Sequence, residues 1–138
     1  MRVEPYLFFE GRCDEAIEFY REAVGAQVLM LMRYGDSPQP TTHGRADKVM
    51  HAMVRIGEST ICVSDGMCTG QAAFGGFSLS LMVATPQEAD RAFGALAAGG
   101  QVQMPLGETF FSPRFGMLSD QFGVRWIIYS EPAGQDPK

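Results

Sequence analysis

The segment FFSPRFGMLSDQFGVRWII, residues 110–128, carries the strongest fold signal in the chain. Runs rich in apolar and β-branched residues lie on both sides of Gln121-Phe122-Gly123, a pattern typical of two antiparallel strands joined by a loose turn. We predict these strands at residues 115–119 and 124–130. The segment therefore indicates a β-sheet in which the last two strands of the chain are neighbours.

Two further segments have the apolar spacing of amphipathic helices. The first covers residues 13–23, begins with acidic residues that suit the helix dipole, and stops at Gly25. The second covers residues 86–98, where Thr85 is a good N-cap and Glu88 stands at the third helical position of a capping box. We predict one helix in each half of the chain.

The remaining elements repeat in the same order in both halves. Glu15-Ala16 in the first helix recurs as Glu88-Ala89 in the second, and Gly25-Ala26-Gln27-Val28 after the first helix resembles Gly99-Gly100-Gln101-Val102 after the second. Other strand-like runs cover residues 3–9, 27–33, 49–56, 60–64, 77–83 and 102–104. The order predicts an α+β fold of two βαβββ modules, at about 1–65 and 77–130, with a linker at 66–76 and a tail at 131–138.

Composition excludes several classes of protein. Hydrophobic residues make up 46% and charged residues 20% of the 138 residues, which is typical of a globular domain. The net charge of -5 argues against a nucleic-acid partner, because phosphate backbones would be repelled. No apolar run approaches the roughly 18 residues of a membrane span, and the first residues lack a signal-peptide pattern. We therefore expect a cytoplasmic protein that binds neither nucleic acid nor membrane.

The cysteines support the same location. Three are present, Cys13, Cys62 and Cys68, with no CxxC spacing, so we expect reduced thiols that pack as small hydrophobic side chains. An alternative is a nucleophilic Cys13, since the start of a helix lowers the pKa of a thiol.

Four segments together resemble a known family. They are residues 5–26, PYLFFEGRCDEAIEFYREAVGA; 48–65, KVMHAMVRIGESTICVSD; 77–100, FSLSLMVATPQEADRAFGALAAGG; and 110–128, of which FGMLSDQFGVRW is the most specific part. The chain resembles the PhnB-like branch of the glyoxalase/bleomycin-resistance/dioxygenase (vicinal oxygen chelate) superfamily. The resemblance implies curved mixed sheets around a cup and a homodimer with modules packed across the interface.

The resemblance also bears on metal binding. Enzymes of the superfamily generally hold a divalent metal through His, Glu or Gln on four strands, and those positions fall near Pro5, His51, Ser78 and Ile127 here. Only His51 is a good ligand, whereas zinc usually requires three or four. Glu4 and His43 are the nearest substitutes if the alignment is shifted by one residue. We expect no metal or other cofactor.

Strand alternation predicts which residues face the cup. His51 is either a general base or polar anchor there, or a hydrogen-bonded histidine in a half-buried sheet. Arg125 either neutralises an anionic ligand or pairs with a carboxylate such as Glu108 or Asp120. Trp126 is expected to point away, into the helix-covered core. The predicted ligand-binding residues are Leu7, Phe9, His51, Met53, Ser78, Ser80, Phe111, Arg125, Ile127 and Tyr129.

Three functions remain open. The first is metal-independent binding of a small hydrophobic or aromatic molecule in the cup. The second is a metal-dependent lyase, isomerase or dioxygenase that uses His51 as its catalytic residue. The third is a non-catalytic accessory protein that acts through its dimer surface. Some PhnB-like chains carry a demethylubiquinone methyltransferase label, but this sequence has no strand–Gly-rich loop–helix motif of a nucleotide-type cofactor site.

Overall fold

A computed structural model describes residues 1–36 and 45–132, which form two compact units divided between Ala73 and Phe74. In unit one the elements are β1 (Tyr6–Phe8), α1 (Cys13–Val24), β2 (Gln27–Arg33), a 3-10 turn (Tyr34–Asp36), β3 (Val49–Ile56) and β4 (Ser59–Ser64). In unit two they are β5 (Leu79–Val83), α2 (Pro86–Ala97), β6 (Gln101–Gly107), β7 (Phe115–Ser119) and β8 (Arg125–Ser130).

Each unit contains one four-stranded mixed sheet, and the two sheets have the same internal order. The order is β1-β4-β3-β2 in unit one and β5-β8-β7-β6 in unit two. In each sheet the first and second strands of that order are parallel and the other pairs are antiparallel. The predicted fold class of two βαβββ modules is confirmed, and the described strands do not close into a barrel.

Two strands, β1 and β6, differ from the predicted length by more than two residues, and a proline lies at or within each of them. β1 is shorter than residues 3–9, because Pro5 has no N–H for the ladder and its carbonyl instead accepts a hydrogen bond from Cys62 N at 2.9 Å. β6 is longer than residues 102–104 and contains Pro105. Since β6 lies at the edge of its sheet, a missing N–H on the outer side breaks no ladder bond.

Helix α1 covers one face of the first sheet. Its buried residues Cys13, Ala16, Ile17 and Tyr20 follow the predicted apolar stripe. The ring of Tyr20 lies 6.1 Å, centroid to centroid, from that of Phe9 at the end of β1. Burial of each such aromatic or branched side chain stabilises the fold by about 1.5–3 kcal/mol.

The position of Phe9 overturns one prediction. Leu7 and Phe9 are 1% and 2% exposed and lie on the helix-covered face, so placing them with His51 on the ligand face was wrong. A one-residue change in strand phase moves every side chain to the opposite face. In β1 the exposed residues are Tyr6 and Phe8, at 43% and 48%.

Helix α2 covers one face of the second sheet in the same way. Thr85 caps it as predicted, since its Oγ1 accepts a hydrogen bond from Glu88 N at 3.1 Å. Trp126 is 3% exposed, which confirms that it points into the helix-covered core. A Cβ at Gly116 would lie 2.8 Å from the Phe93 ring, so glycine is needed there for the helix to approach the sheet.

A buried aspartate in each unit accepts hydrogen bonds from N–H groups, most of them backbone groups at the ends of helices, strands and turns. Arg12 at the N-terminus of α1 makes no side-chain cap. Asp65, after β4, takes over that role: its Oδ1 accepts from Gly11 N at 2.9 Å and from Cys13 N at 2.8 Å, and its Oδ2 from Val49 N at 2.8 Å. In unit two, Asp120 accepts from Trp126 Nε1 at 2.9 Å and from two backbone N–H groups of the turn before β8. Asp65 thereby joins segments that are distant in sequence, whereas Asp120 fixes the turn between β7 and β8.

Neither helix in the described part of the chain has the length and apolar character needed to cross a bilayer.

Candidate functional site

The side of the first sheet opposite α1 forms an exposed apolar surface, the open face of unit one. The register places Tyr6 beside Cys62, Cys62 beside Met53, and His51 beside Met32. This open face includes Tyr6, Phe8, Met30, Met32, His51 and Met53. Large apolar side chains normally lie inside a domain, so a group of them on one face indicates a binding surface.

Tyr6 and His51 form the polar pair of this face. The Tyr6 hydroxyl lies 2.8 Å from His51 Nδ1, and the two rings are 5.5 Å apart. Burial, and after it the nearby Cys62 thiol, raise the pKa of Tyr6 above its ordinary value. A phenol that keeps its proton can donate to Nδ1, which leaves the ring proton of His51 on Nε2. The pair orients the imidazole, which agrees with both interpretations of His51 made from the sequence, the polar anchor and the hydrogen-bonded histidine of a half-buried sheet.

A pocket of about 440 Å³ opens at the edge of this face. Its walls combine three aromatic rings, two methionines and one carboxylate. The lining residues are Tyr6, Phe8, Glu10, Tyr34, Met50, Ser64, Gly66 and Met67. The Tyr6 and Phe8 rings stack with centroids 4.9 Å apart, so they present one continuous aromatic wall.

Backbone conformation brings the carboxylate into the pocket. Glu10 has a positive φ of 51°, which turns the chain sharply after β1. A Cβ at Gly66 would collide with Glu10 Oε2 and lie 3.1 Å from Phe8 Cδ1. The carboxylate and the Phe8 ring thus occupy space that a side chain at residue 66 would need, and the φ of Gly66, +57°, favours glycine there.

Tyr34 closes the pocket from the end of β2. Its hydroxyl donates a hydrogen bond to the carbonyl of Gly66. The Arg45 guanidinium lies over the Tyr34 ring, 5.0 Å from its centroid, and contacts Met67 Sδ at 4.0 Å. The ring thus already holds a cation on one of its faces.

The second sheet has its own open face, opposite α2. Register places Ser80 beside Ile127, and both Met82 and Phe115 beside Tyr129. Phe111 extends the aromatic group, with its ring 5.1 Å from Phe115, which is 6.3 Å from Tyr129. The predicted grouping of Ser80, Ile127 and Tyr129 on one face is therefore found, whereas Ser78 lies just before β5.

Arg125 lies on the same face, and of its two interpretations the pairing with a carboxylate is not found among the described residues. None of the ion pairs among the described residues involves Arg125. Asp120, one proposed partner, instead binds the Trp126 indole, because the two side chains lie on the helix-covered side. Arg125 is exposed and beside Ser119, at one end of the open face of unit two.

The structure also rejects a nucleophilic Cys13. The residue is 0% exposed, and burial together with the carboxylates of Asp65 and Asp14 raises the pKa of its thiol strongly. The dipole of α1 would lower that pKa, but desolvation is the larger effect. Cys13 packs as a small apolar residue, as the main interpretation expected.

The donor set at the implied metal positions does not fit a divalent metal. Pro5 and Ile127 offer no side-chain donor, and the open-face neighbour of His51 is the phenol of Tyr6, held in its protonated form. Elsewhere in the described residues, no group of three or more His, Cys, Asp or Glu side chains is arranged to hold an ion. His43, one of the substitutes considered from the sequence, lies outside the described residues.

Comparison with known proteins agrees with this architecture. A family model described as 3-demethylubiquinone-9 3-methyltransferase matches residues 1–129. The chain belongs to this PhnB-like family. YjdN from Escherichia coli is 36% identical over 93% of this chain and 94% of its own length. PA1353 from Pseudomonas aeruginosa is 41% identical, with a TM-score of 0.84 over 96% of this chain and 98% of its own.

Other solved structures share either the family or the fold alone. The PhnB protein from Bacillus cereus is 30% identical, with a TM-score of 0.79 over 94% of this chain and 99% of its own. FosX, a fosfomycin resistance protein from Listeria monocytogenes, shares the fold alone, with a TM-score of 0.65 at 11% identity over 96% and 94% of the two chains. The PhnB-like family expected from the sequence is confirmed.

Sequence reasoning missed all eight residues that line the pocket, Tyr6, Phe8 and Glu10 among them. The available signal was the pairing of β1 with β4. β1 is too short for its own sequence to show which side chains lie on which face of the sheet, and the register with its parallel neighbour decides this. Glu10 carried no such signal, because its position depends on a positive φ and on a glycine far along the chain.

Proposed function

We propose that this chain binds a small hydrophobic or aromatic molecule without a metal, on the open apolar surface of its sheets. The observation that carries the proposal is the pocket of about 440 Å³ whose aromatic wall, Tyr6 and Phe8, remains 43% and 48% exposed. A volume in this range suits a small organic ligand, and apolar walls with few polar groups are typical of such sites. His51, held by Tyr6, supplies an oriented polar contact beside the wall.

The family description names a methyl transfer to a quinone precursor, and we extend only part of it to this chain. A quinone ring is flat, apolar and aromatic, so it falls within the proposed class of ligands. The transfer itself needs a methyl donor, and the sequence lacks the Gly-rich strand–loop–helix motif of a nucleotide-type cofactor site. Binding, rather than transfer, is what the side chains support.

Location and assembly complete the proposal. The three cysteines are free, which supports a reducing, cytoplasmic location. Edge strand β2 exposes four apolar side chains, Val28, Leu29, Met30 and Met32, by 36–48%. An exposed, apolar edge strand is a natural contact for a second copy, so we propose a homodimer, to be checked by light scattering on purified protein.

A ligand screen with a matched pair of variants tests the binding function. Short-chain quinones and simple soluble aromatics are titrated into protein stripped of metal by a chelator, with melting temperature and calorimetry as readouts. Phe8→Ala removes part of the pocket wall and should weaken binding about five- to tenfold, as expected for losing an aromatic contact of about 1 kcal/mol or slightly more. Phe77→Ala is the control, because Phe77 is 44% exposed but lies in unit two and outside the pocket.

Two results would contradict the proposal. Equal losses in Phe8→Ala and Phe77→Ala would show that the probes do not use the pocket. Stoichiometric metal in the purified protein, lost together with thermal stability in His51→Ala, would favour the metal-dependent enzyme instead.

A further inference from the structure

The pocket of unit one has a charge as well as an apolar wall. Glu10 is the one charged residue among those that line it. Its Oε1 accepts a hydrogen bond from Thr69 N at 3.1 Å, and the ion pairs among the described residues do not include it. Its second oxygen, Oε2, lies against Gly66, where no Cβ displaces it. The hydrogen bond thus positions the carboxylate, and no ion pair with a described residue neutralises its charge.

The aromatic walls complement this charge. Tyr6, Phe8 and Tyr34 present three rings to the same pocket. Ring faces carry negative electrostatic potential and attract cations, most strongly where water is partly excluded. Three rings beside one carboxylate form the type of site that holds an organic ammonium group. The same carboxylate and ring faces would repel an anion such as benzoate.

The basic groups near the pocket do not cancel this preference. Arg45 lies over Tyr34 but outside the pocket lining, and Lys48 Nζ donates to the carbonyl of Gly11 at 3.0 Å. Neither is within ion-pair distance of the Glu10 carboxylate. The position of Arg45 also shows directly that the Tyr34 ring accepts a cationic partner.

We propose that this pocket selects molecules in which a cationic nitrogen adjoins an apolar or aromatic body. The inference rests on the proposed binding function and deepens it by naming the charge of the ligand. Glu10 supplies the counter-charge, the three rings contact the cationic group and its neighbouring carbons, and Met50 and Met67 contact the apolar body.

Three probes of similar size separate the charge from the apolar contact: benzylammonium, benzyl alcohol and benzoate. Methionines labelled at the ε-methyl group report the site by NMR, because Met50 and Met67 line the pocket whereas Met82 and Met104 belong to unit two. We expect shifts at Met50 and Met67, an affinity for benzylammonium about three- to tenfold higher than for benzyl alcohol, and the weakest binding for benzoate. Added salt should weaken the binding of benzylammonium and should not weaken the binding of the other two probes.

Glu10→Gln is the decisive variant. The amide oxygen keeps the bond from Thr69 N, so the pocket retains its shape and loses only the charge. The preference for benzylammonium over benzyl alcohol should disappear, with benzyl alcohol affinity unchanged. Glu18→Gln is the control: it removes the same charge from the exposed surface of α1, where Glu18 pairs with Arg21, and should keep the preference.

The outcomes separate the two proposals. If benzyl alcohol binds as tightly as benzylammonium, or if benzoate binds best, the charge selectivity is wrong while the binding function stands. If Glu18→Gln reduces the preference as much as Glu10→Gln, the effect belongs to the net charge of the protein and the pocket assignment is wrong. If no probe shifts Met50 or Met67 in the unmodified protein, both proposals fail. The salt dependence in the unmodified protein gives a test that needs no variant.

Discussion

Replacing Asp65 by alanine should destabilise the protein more than any surface change of the same charge. Its carboxylate is fully buried and accepts three backbone hydrogen bonds, from Gly11, Cys13 and Val49. Each buried N–H left without an acceptor costs about 1–3 kcal/mol, and water can reach the half-exposed Gly11 more easily than the other two. We therefore expect the free energy of unfolding to fall by about 3–5 kcal/mol, a large part of the roughly 5–15 kcal/mol typical of a domain.

Urea unfolding followed by far-ultraviolet circular dichroism measures this loss. Asp14→Ala is the matched control, since Asp14 is also at the start of α1 but its side chain is 53% exposed and pairs with Arg33 on the surface. A surface ion pair contributes about 0–1 kcal/mol, so the control should change little. If Asp65→Ala fails to fold, Asp65→Asn keeps one accepting oxygen and should lose about 1–3 kcal/mol. Equal losses in the Asp14 and Asp65 variants would refute the capping role.

Three further predictions concern the pocket and the buried groups. Gly66→Ala should weaken probe binding to unit one and lower the melting temperature, because the new methyl displaces the Glu10 carboxylate and the positive φ is strained. Calorimetry and a melting curve measure the two effects, and unchanged binding would contradict the pocket geometry. Because burial raises the pKa of Cys13 strongly, its reaction with a thiol reagent should be slow in the folded protein. The reaction should accelerate as the pH rises and become fast in urea, and peptide mass spectrometry identifies the labelled cysteine. Fast labelling of Cys13 in the folded state would disprove its burial. Because the pKa of Tyr6 is raised, this tyrosine should ionise late in a pH titration that follows phenolate absorbance. The absorbance lost in Tyr6→Phe should therefore come from the high-pH part of the curve. A loss at a pH below the ordinary pKa of tyrosine would be inconsistent with desolvation.

The helices and their faces could be read from the sequence because several local signals agree. Thr85 before Pro86 marks the start of α2, and a stripe of apolar residues then gives its buried side. Trp126 was placed correctly for a related reason: β8 is six residues long, so alternation over its length determines the phase of the strand.

Features that depend on contacts distant in sequence could not be predicted. β1 has three residues, too few for alternation to be decisive, and its face is set by pairing with β4. The cap of α1 comes from Asp65, about fifty positions further along the chain in a different element, so no local pattern announces it. The position of Glu10 in the pocket depends equally on a remote partner, Gly66.

The repeated strand order has a consequence for how the polypeptide tolerates breaks. Because each interstrand ladder in the described part of the chain joins strands of the same half, cutting the connection after Gln71 would leave these ladders intact. The hydrogen bond from Gly70 N to the carbonyl of Glu10 would also remain within one fragment. Split expression of two fragments, or new termini made by circular permutation at this point, should therefore preserve each sheet. The organisation is that expected of an ancestral half-length gene that was copied and fused.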